Sequence, residues 1–196
     1  EDVHPSFDIS QARPDNFHPK VGGMDFMSDG SLILSNWDPE GSIYRISNLD
    51  QDDPEKIVVT PIASGLAEPL GVKVVDDEIY VLQKQELTKL VDHDGDQIID
   101  EYETVCNGWQ VSATIHELAF GLVYKDGHFY ATLATAINPG GASTRPQIPD
   151  RGKAVKISKE DGSFEFMAHG LSTPNGIGIG VDGEIYIADN QGDWLP

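Results

Sequence analysis

The sequence predicts an all-β chain that forms part of a β-propeller. A strand-turn-strand pattern recurs in segments that begin at Gly22, Gly71, Leu118 and Gly176, and no segment shows a convincing helical period. The spacing of roughly 50 residues is typical of propeller blades and too long for most helical solenoids. A sandwich of short hairpins is the alternative that the same pattern allows.

An acidic turn closes the first hairpin of each repeat. The four turns are Asp29-Gly30, Asp76-Asp77, Asp126-Gly127 and Asp182-Gly183. The Asp-Gly pair tolerates the positive φ that a tight hairpin needs. Alternating apolar and polar residues after each turn predict the second strands, at residues 32–34, 79–82, 129–133 and 185–187.

Further strands complete each repeat. Third strands are predicted at 43–46, 87–91 and 154–157, and fourth strands lead into 64–66, 107–109 and 169–171. Four strands form one blade, so after an irregular lead-in (1–20) we expect a propeller domain (21–196) with blades at about 21–66, 67–109, 116–171 and, incomplete, 174–196. Since a propeller needs roughly four to eight blades, about three and a half four-stranded blades leave a sheet edge that remaining blades or another segment should cover.

Composition limits the compartment and the partners. The chain is 39% hydrophobic and carries a formal net charge of -20, which agrees with a secreted or periplasmic globular protein. The acidic surface disfavours nucleic acid and anionic membranes, and direct membrane insertion is not expected because no long apolar run occurs. Cys106 is the one cysteine, which excludes an internal disulfide.

The segment from Asp92 to Glu103 has the ligand order of an EF-hand-type calcium loop. The predicted ligands are oxygen donors, namely Asp92, Asp94, Asp96, the backbone carbonyl of Ile98, Asp100 and Glu103. Aspartates this close repel one another unless a cation is present. Gln97 stands where such loops usually have glycine, and a solvated acidic hairpin tip is the alternative. Because the loop joins a third strand to a fourth, we expect it on the face of the Asp-Gly turns, with a structural role.

The opposite face should carry the binding site, because the long connections converge there. These connections lie at 36–38, 83–85, 108–116, 137–151, 172–175 and 190–194. His116 immediately precedes an innermost strand, where it could act as a general base. The neighbouring Glu117 could orient the imidazole or point elsewhere. A hydrogen-bonded structural histidine is the alternative.

Polar and aromatic residues at the last strand exit suit sugar hydroxyls and a stacking surface. The predicted substrate-binding residues there are Asp189, Asn190, Gln191, Asp193 and Trp194. Ordinary loop capping is the alternative. Arg145 and Arg151, among few cations, could receive a carboxylate or an anionic cofactor, or form surface ion pairs; Arg145 is assigned to the substrate site.

Several of these segments together resemble the glucose/sorbosone dehydrogenase-like propellers, particularly the secreted "membrane-bound dehydrogenase domain" proteins of planctomycetes and Bacteroidetes. The segments that carry the resemblance are 23–26, 68–71, 92–102, 116–121, 174–176 and 189–194. The resemblance implies a six-bladed propeller and a sugar dehydrogenase that depends on pyrroloquinoline quinone (PQQ). His116 would be the base, since a histidine stands at the same distance before an Asp-Gly hairpin in that family.

The sequence departs from this family at Ser172-Thr173-Pro174. The quinoproteins carry Arg-Asn-Pro there, and the first two side chains help to hold the quinone. The sequence therefore leaves two main classes of function open. The first is a PQQ-dependent oxidoreductase acting on a small sugar or polyol with a further electron acceptor; the second is a noncatalytic propeller that binds glycans or a partner protein through the same face. A hydrolase or lyase that uses the acidic residues is a third.

Overall fold

Antiparallel β-strands make up nearly all regular structure in this computed structural model, which describes residues 6, 9–51, 53–114, 116–137 and 147–190. Within those ranges the one helical element is a single 3-10 turn at Pro54–Lys56. Consequently, no described helix has the length and apolar character needed to cross a bilayer.

The strands form four separate antiparallel sheets in sequence order. The first sheet contains β1 (Val21–Phe26), β2 (Leu32–Asn36), β3 (Ser42–Ser47) and β4 (Val58–Ala63). The second contains β5 (Gly71–Val75), β6 (Glu78–Leu82), β7 (Leu87–Val91) and β8 (Glu101–Cys106). The third contains β9 (Ala119–Lys125), β10 (His128–Leu133), β11 (Lys153–Ser158) and β12 (Phe164–His169). In the fourth, β13 (Thr173–Ile179) pairs with β14 (Ile185–Asn190).

This arrangement is a β-propeller, so the fold prediction is confirmed and the sandwich alternative is wrong. Each of the first three sheets is one four-stranded blade. The fourth sheet consists of β13 and β14, which correspond to the first two strands of a blade. The acidic turns adopt the backbone that their sequences predict. Both turn residues have positive φ at Asp76-Asp77 and at Asp126-Gly127, while Gly30 and Gly183 supply it in the other two turns.

Glycines bring the innermost strands of successive blades together. The backbones approach so closely that a Cβ on Gly71 would lie 2.6 Å from the carbonyl oxygen of Gly121. The Gly121 amide donates to Leu70 O at 3.2 Å, across the same junction. Gly23 stands in the same relation to Val72, and a Cβ on Gly121 would overlap the Ile177 side chain. The inner strands therefore converge only because side chains are missing at these positions.

Apolar side chains fill the space between neighbouring blades. One buried cluster between the first and second blades includes Ile33, Ile43 and Val81. A larger cluster between the second and third blades includes Leu82 and Phe129, and the Phe129 ring lies 4.6 Å from that of Tyr80. Burial of these faces fixes which side of each strand points to the neighbouring blade.

A polar contact joins the second and third blades at their edge. Glu78 of β6 pairs with Lys89 of β7 and, at 3.1 Å, with Lys159, which follows β11. The hydrogen bond from Lys89 is the main reason why the pKa of Glu78 falls to about 2, and bonds from Tyr80 and Lys159 add to the effect. The carboxylate is thus charged at neutral pH.

We predict that Gly71→Ala destabilises the propeller by about 1–3 kcal/mol, because the new methyl group would overlap the Gly121 backbone. The matched control is Gly178→Ala, since no atom lies within 4 Å of a Cβ at that strand position. Chemical denaturation of the intact protein measures both changes. Equal stability of the two variants would contradict the close approach of the inner strands.

Candidate functional site

Antiparallel pairing divides the connections between two faces of the propeller. We call one end of the propeller the loop face. It carries the β2–β3 and β6–β7 turns, the ends of the β10–β11 loop and the blade-to-blade connections, and its described residues are 37–41, 64–70, 83–86, 107–114, 116–118, 134–137, 147–152 and 170–172. The turn face is the opposite end. The Asp92 loop joins β7 to β8 and lies on the turn face, where strand order predicted it.

His116 is exposed on the loop face, in the connection between β8 and β9. It precedes the innermost strand of the third blade by three residues. An exposed imidazole at this position is accessible to a ligand on the loop face. The described residues of this connection have no regular secondary structure, so side-chain contacts must hold its backbone in place.

Glu117, the next residue, holds this connection in place through a side chain that is completely buried. The backbone amide of Ser112 donates to Oε1 at 2.7 Å, and the Ser112 hydroxyl donates to Oε2 at 2.5 Å. Arg151 Nε lies 3.1 Å from Oε1, and both side chains of this ion pair have no solvent exposure. We predicted that Glu117 would either orient the imidazole or point elsewhere. It points elsewhere, because its carboxylate is directed into the protein toward Ser112 and Arg151.

Arg151 spreads its remaining hydrogen bonds over three backbone segments. The guanidinium donates to Gln110 O at 3.2 Å, Leu118 O at 3.3 Å and Lys84 O at 3.2 Å. Burial lowers the pKa of Arg151, while the negative charge of Glu117 opposes that decrease. The alternative of a surface ion pair is wrong for Arg151, because the ion pair that it forms with Glu117 is buried.

Lys84 ties the same connection to the second blade. Its ammonium group donates to Thr114 O at 2.6 Å, and its carbonyl accepts from the Trp109 indole at 3.0 Å. The Glu117 amide donates to Thr114 O at 3.3 Å. The backbone on the two sides of His116 is therefore anchored by the half-buried Lys84 and the buried Glu117, although His116 itself is exposed.

Asp189 and Asn190 end β14, and the Asp189 carboxylate already has backbone partners. Its Oδ2 accepts from the Ser172 amide at 2.9 Å and its Oδ1 from the Asn190 amide at 3.0 Å. These are the bonds of loop capping. Asn190 is exposed. Four other predicted substrate residues lie outside the described residues, namely Gln191, Asp193, Trp194 and Arg145.

The two described parts of the predicted site share one hydrogen-bonded rim. Next to His116, Leu118 O accepts from the Ala134 amide at 2.9 Å. The following residue, Thr135, donates its amide to Ser172 O at 2.9 Å, and Ser172 donates to Asp189. Hydrogen bonds thus connect Leu118, two residues after His116, to the Asp189 carboxylate through Thr135 and Ser172.

The described residues do not fit a polyanionic cofactor well. PQQ is a polycarboxylate and calls for free cations. Within the described ranges, the cations whose contacts reach the His116 connection are Lys84 and Arg151, and both are engaged with protein oxygens. Thr173, where the resembling family has asparagine, has a buried hydroxyl oxygen without a hydrogen-bond partner. Groups that hold PQQ would have to come from outside the described residues.

The Asp92 loop gathers part of its predicted ligand set. One carboxylate oxygen each from Asp92, Asp94 and Asp100 lie within 4.8 Å of one another. Desolvation raises the pKa of Asp92, but backbone amides, chiefly those of Gln97 and Gly95, outweigh it and lower the pKa. Gln97 has φ +72°, the left-handed conformation that glycine takes at this position of calcium loops.

Three predicted ligands lie outside this cluster. Asp96 Oδ1 accepts from the Ile98 amide at 2.8 Å, which is a local turn contact, and the Ile98 side chain is exposed. Glu103 lies within β8, opposite Lys89. Of the two carboxylate ligands predicted after Ile98, Asp100 belongs to the cluster and Glu103 does not.

Sequence reasoning missed the Glu117–Arg151 pair. The one available signal was that Arg151 is among few cations in a strongly acidic chain, but sequence alone gave no reason to place it against Glu117. Their separation of more than 30 positions made the contact depend on blade geometry.

Comparisons with known proteins agree with this fold. Trichoderma reesei Carbohydrate-Active Enzymes Family AA12 matches with a TM-score of 0.66 at 13% identity, covering 91% of this chain and 48% of that one. The PQQ domain of pyranose dehydrogenase from Coprinopsis cinerea gives 0.62 at 12%, covering 86% and 43%. XC5397 from Xanthomonas campestris, described as a gluconolactonase, gives 0.59 at 13%, covering 85% and 53%.

The chain thus spans about half the length of these solved structures, and at such identities the likeness shows the propeller fold alone. No curated protein matches the sequence. A family model described as "Domain of unknown function (DUF7133)" matches residues 23–194, which is most of the chain. The chain therefore belongs to the DUF7133 family.

Proposed function

We propose that the loop face binds a sugar or polyol and oxidises it, with His116 as the general base. The observation that carries the proposal is the exposed position of His116 beside the buried Glu117–Arg151 pair. An imidazole whose backbone is anchored while its ring remains accessible meets the geometric requirement for proton transfer from a bound hydroxyl.

In this proposal His116 removes the proton from a substrate hydroxyl, and the carbon that bears the hydroxyl gives up a hydride to an electron acceptor. PQQ, which the family resemblance implies, would supply the two-electron acceptor when bound. Other substrate hydroxyls would donate hydrogen bonds to the Asp189 carboxylate, and the Asn190 side-chain amide would accept from or donate to them, at the end of the rim farther from His116. Gln191, Asp193, Trp194 and Arg145 are assigned to the same substrate site.

Names of similar structures support a carbohydrate substrate. One is the PQQ domain of a pyranose dehydrogenase and another is a carbohydrate-active enzyme of family AA12. The acidic composition and the family resemblance favour a secreted or periplasmic location.

A noncatalytic propeller that binds glycans or a partner protein is the second candidate. It is favoured by the engagement of Lys84 and Arg151 and by Ser172-Thr173 in place of the quinone-holding pair. In that case His116 would be a structural residue.

We also propose that the Asp92 loop binds structural calcium. The clustered Asp92, Asp94 and Asp100 carboxylates and the left-handed Gln97 support this assignment. The loop is attached to the first blade, because the Ile99 amide donates to Ile62 O at 2.9 Å. A bound cation would therefore stiffen the junction between the first and second blades.

Exposed apolar side chains on the fourth sheet favour a further partner. Ile179 and Tyr186 are about half exposed, and Val181 projects fully into solvent. We propose that remaining propeller blades or another segment cover this sheet, in which β14 pairs with β13 alone among the described residues.

Titration of PQQ into the intact protein with calcium present should show binding, followed by dye reduction with sugars. We expect His116→Gln to lower the rate of dye reduction by about 10²–10⁴, because the general base is lost. His128→Gln is the matched control, since His128 lies on the turn face. Absence of PQQ binding by the folded protein would favour the noncatalytic candidate, and equal rates for both variants would contradict the role of His116.

Calcium should raise the melting temperature of the intact protein. At a calcium concentration of 100 times the dissociation constant the stabilisation would be about 2.7 kcal/mol. Asp94→Asn combined with Asp100→Asn should abolish the rise, whereas Asp161→Asn, an exposed acid on the same face, should preserve it. A wild-type protein whose melting temperature ignores both calcium and chelator would exclude the site.

A further inference from the structure

A separate cleft opens on the loop face between the first and second blades. Its volume is about 380 Å³, and residues from the lead-in, the β2–β3 turn and the β4–β5 connection line it: Lys20, Trp37, Asp38, Pro39, Leu66 and Glu68. None of these residues takes part in the Glu117–Arg151 pair or in the Asp92 loop.

The two walls of the cleft are joined by backbone hydrogen bonds. The Gly65 amide donates to Glu40 O at 2.6 Å, and the Leu66 amide donates to Gly41 O at 3.3 Å. Gly41 has φ +58°, and a Cβ at this position would overlap the carbonyl of Leu66. The turn and the connection therefore meet through a contact that requires glycine, so the cleft is preformed.

Trp37 offers an aromatic surface in this cleft. Its backbone amide donates to Lys20 O at 2.8 Å, while the residue as a whole is 45% exposed. The following Asp38 carboxylate is occupied by structural bonds, because Ser42 and Asn36 donate to it. The protein thus fixes the backbone that carries Trp37 and leaves much of the indole uncovered.

Glu68 combines backbone strain with a buried carboxylate oxygen that has no hydrogen-bond donor. It has φ +53°, which is uncommon for a residue with a side chain. Its Oε2 atom is buried without a hydrogen-bond donor; the nearest paired cation is Lys84 Nζ at 3.9 Å, and that group already donates to Thr114 O at 2.6 Å. Strained backbone and unsatisfied polar atoms are features that binding sites retain. The side chain keeps 28% exposure.

We propose that this cleft is a second carbohydrate-binding site, separate from the His116 site. A sugar ring would stack its apolar face on Trp37, while its hydroxyls would donate to Glu68 and accept from Lys20. A neutral polyhydroxylated ring suits an aromatic surface flanked by both a carboxylate and an ammonium group. The site goes beyond the proposed oxidation, because it would bind a glycan whether or not His116 acts on one.

Calorimetric titration of the intact protein with cellotetraose, xylotetraose and chitotetraose tests the site. We expect at least one of them to bind, and Trp37→Ala to weaken that binding at least about tenfold through loss of the stacking surface. Glu68→Gln should weaken it about threefold or more, since a neutral amide accepts hydrogen bonds less strongly than a carboxylate. Phe26→Ala is the matched control, because Phe26 is 60% exposed at the end of β1 beside the turn face.

Binding that is lost in Trp37→Ala and kept in Phe26→Ala supports the site. Failure of all three sugars to bind, or equal binding by wild type and Trp37→Ala, overturns it. Melting curves of each variant ensure that loss of binding is not loss of folding. Since dye reduction depends on His116, failure of sugar oxidation with intact binding at Trp37 would reject the proposed oxidation and leave this site standing.

Discussion

The buried ion pair between Glu117 and Arg151 is the interaction on which the organisation of the loop face depends. Taking both charges out of water is expensive, and the cost is offset because each charge also has backbone or hydroxyl partners. Arg151 contacts carbonyls at residues 84, 110 and 118, so one side chain joins the second blade, the connection and the third blade. The exposed His116 therefore lies on a segment whose position is fixed by the buried Glu117 and Arg151 side chains.

Blade geometry makes this contact possible. The inner strands approach one another at Gly71 and Gly121, which fixes the relative position of the second and third blades. That position in turn brings Arg151, which precedes β11, into contact with the β8–β9 connection. Packing of the scaffold and electrostatics of the site are thus coupled: the glycine contacts determine where the charged groups meet. The same face also holds the Trp37 cleft, where Gly41 has a comparable role.

Local sequence predicted the strands, the acidic turns and the Asp92 loop, because short-range hydrogen bonds and turn conformations determine these features. Asp76-Asp77 adopts positive φ at both residues, and the amides of Gly95 and Gln97 donate to Asp92 a few residues away. The Glu117–Arg151 pair and the strained Glu68 could not be predicted in this way. Each depends on how separate blades or hairpins meet, which no periodicity in the sequence records.

Hydrogen exchange of the backbone amides at 110–118, compared between wild type and Glu117→Gln, tests the central claim most directly. The substitution keeps the shape of the side chain but leaves the Arg151 guanidinium buried without a charged partner. The account predicts faster exchange at 110–118 while the first blade, at 21–63, stays protected. Unchanged exchange at 110–118 in a folded variant would contradict it, because the ion pair would then not be what holds the His116 segment in place.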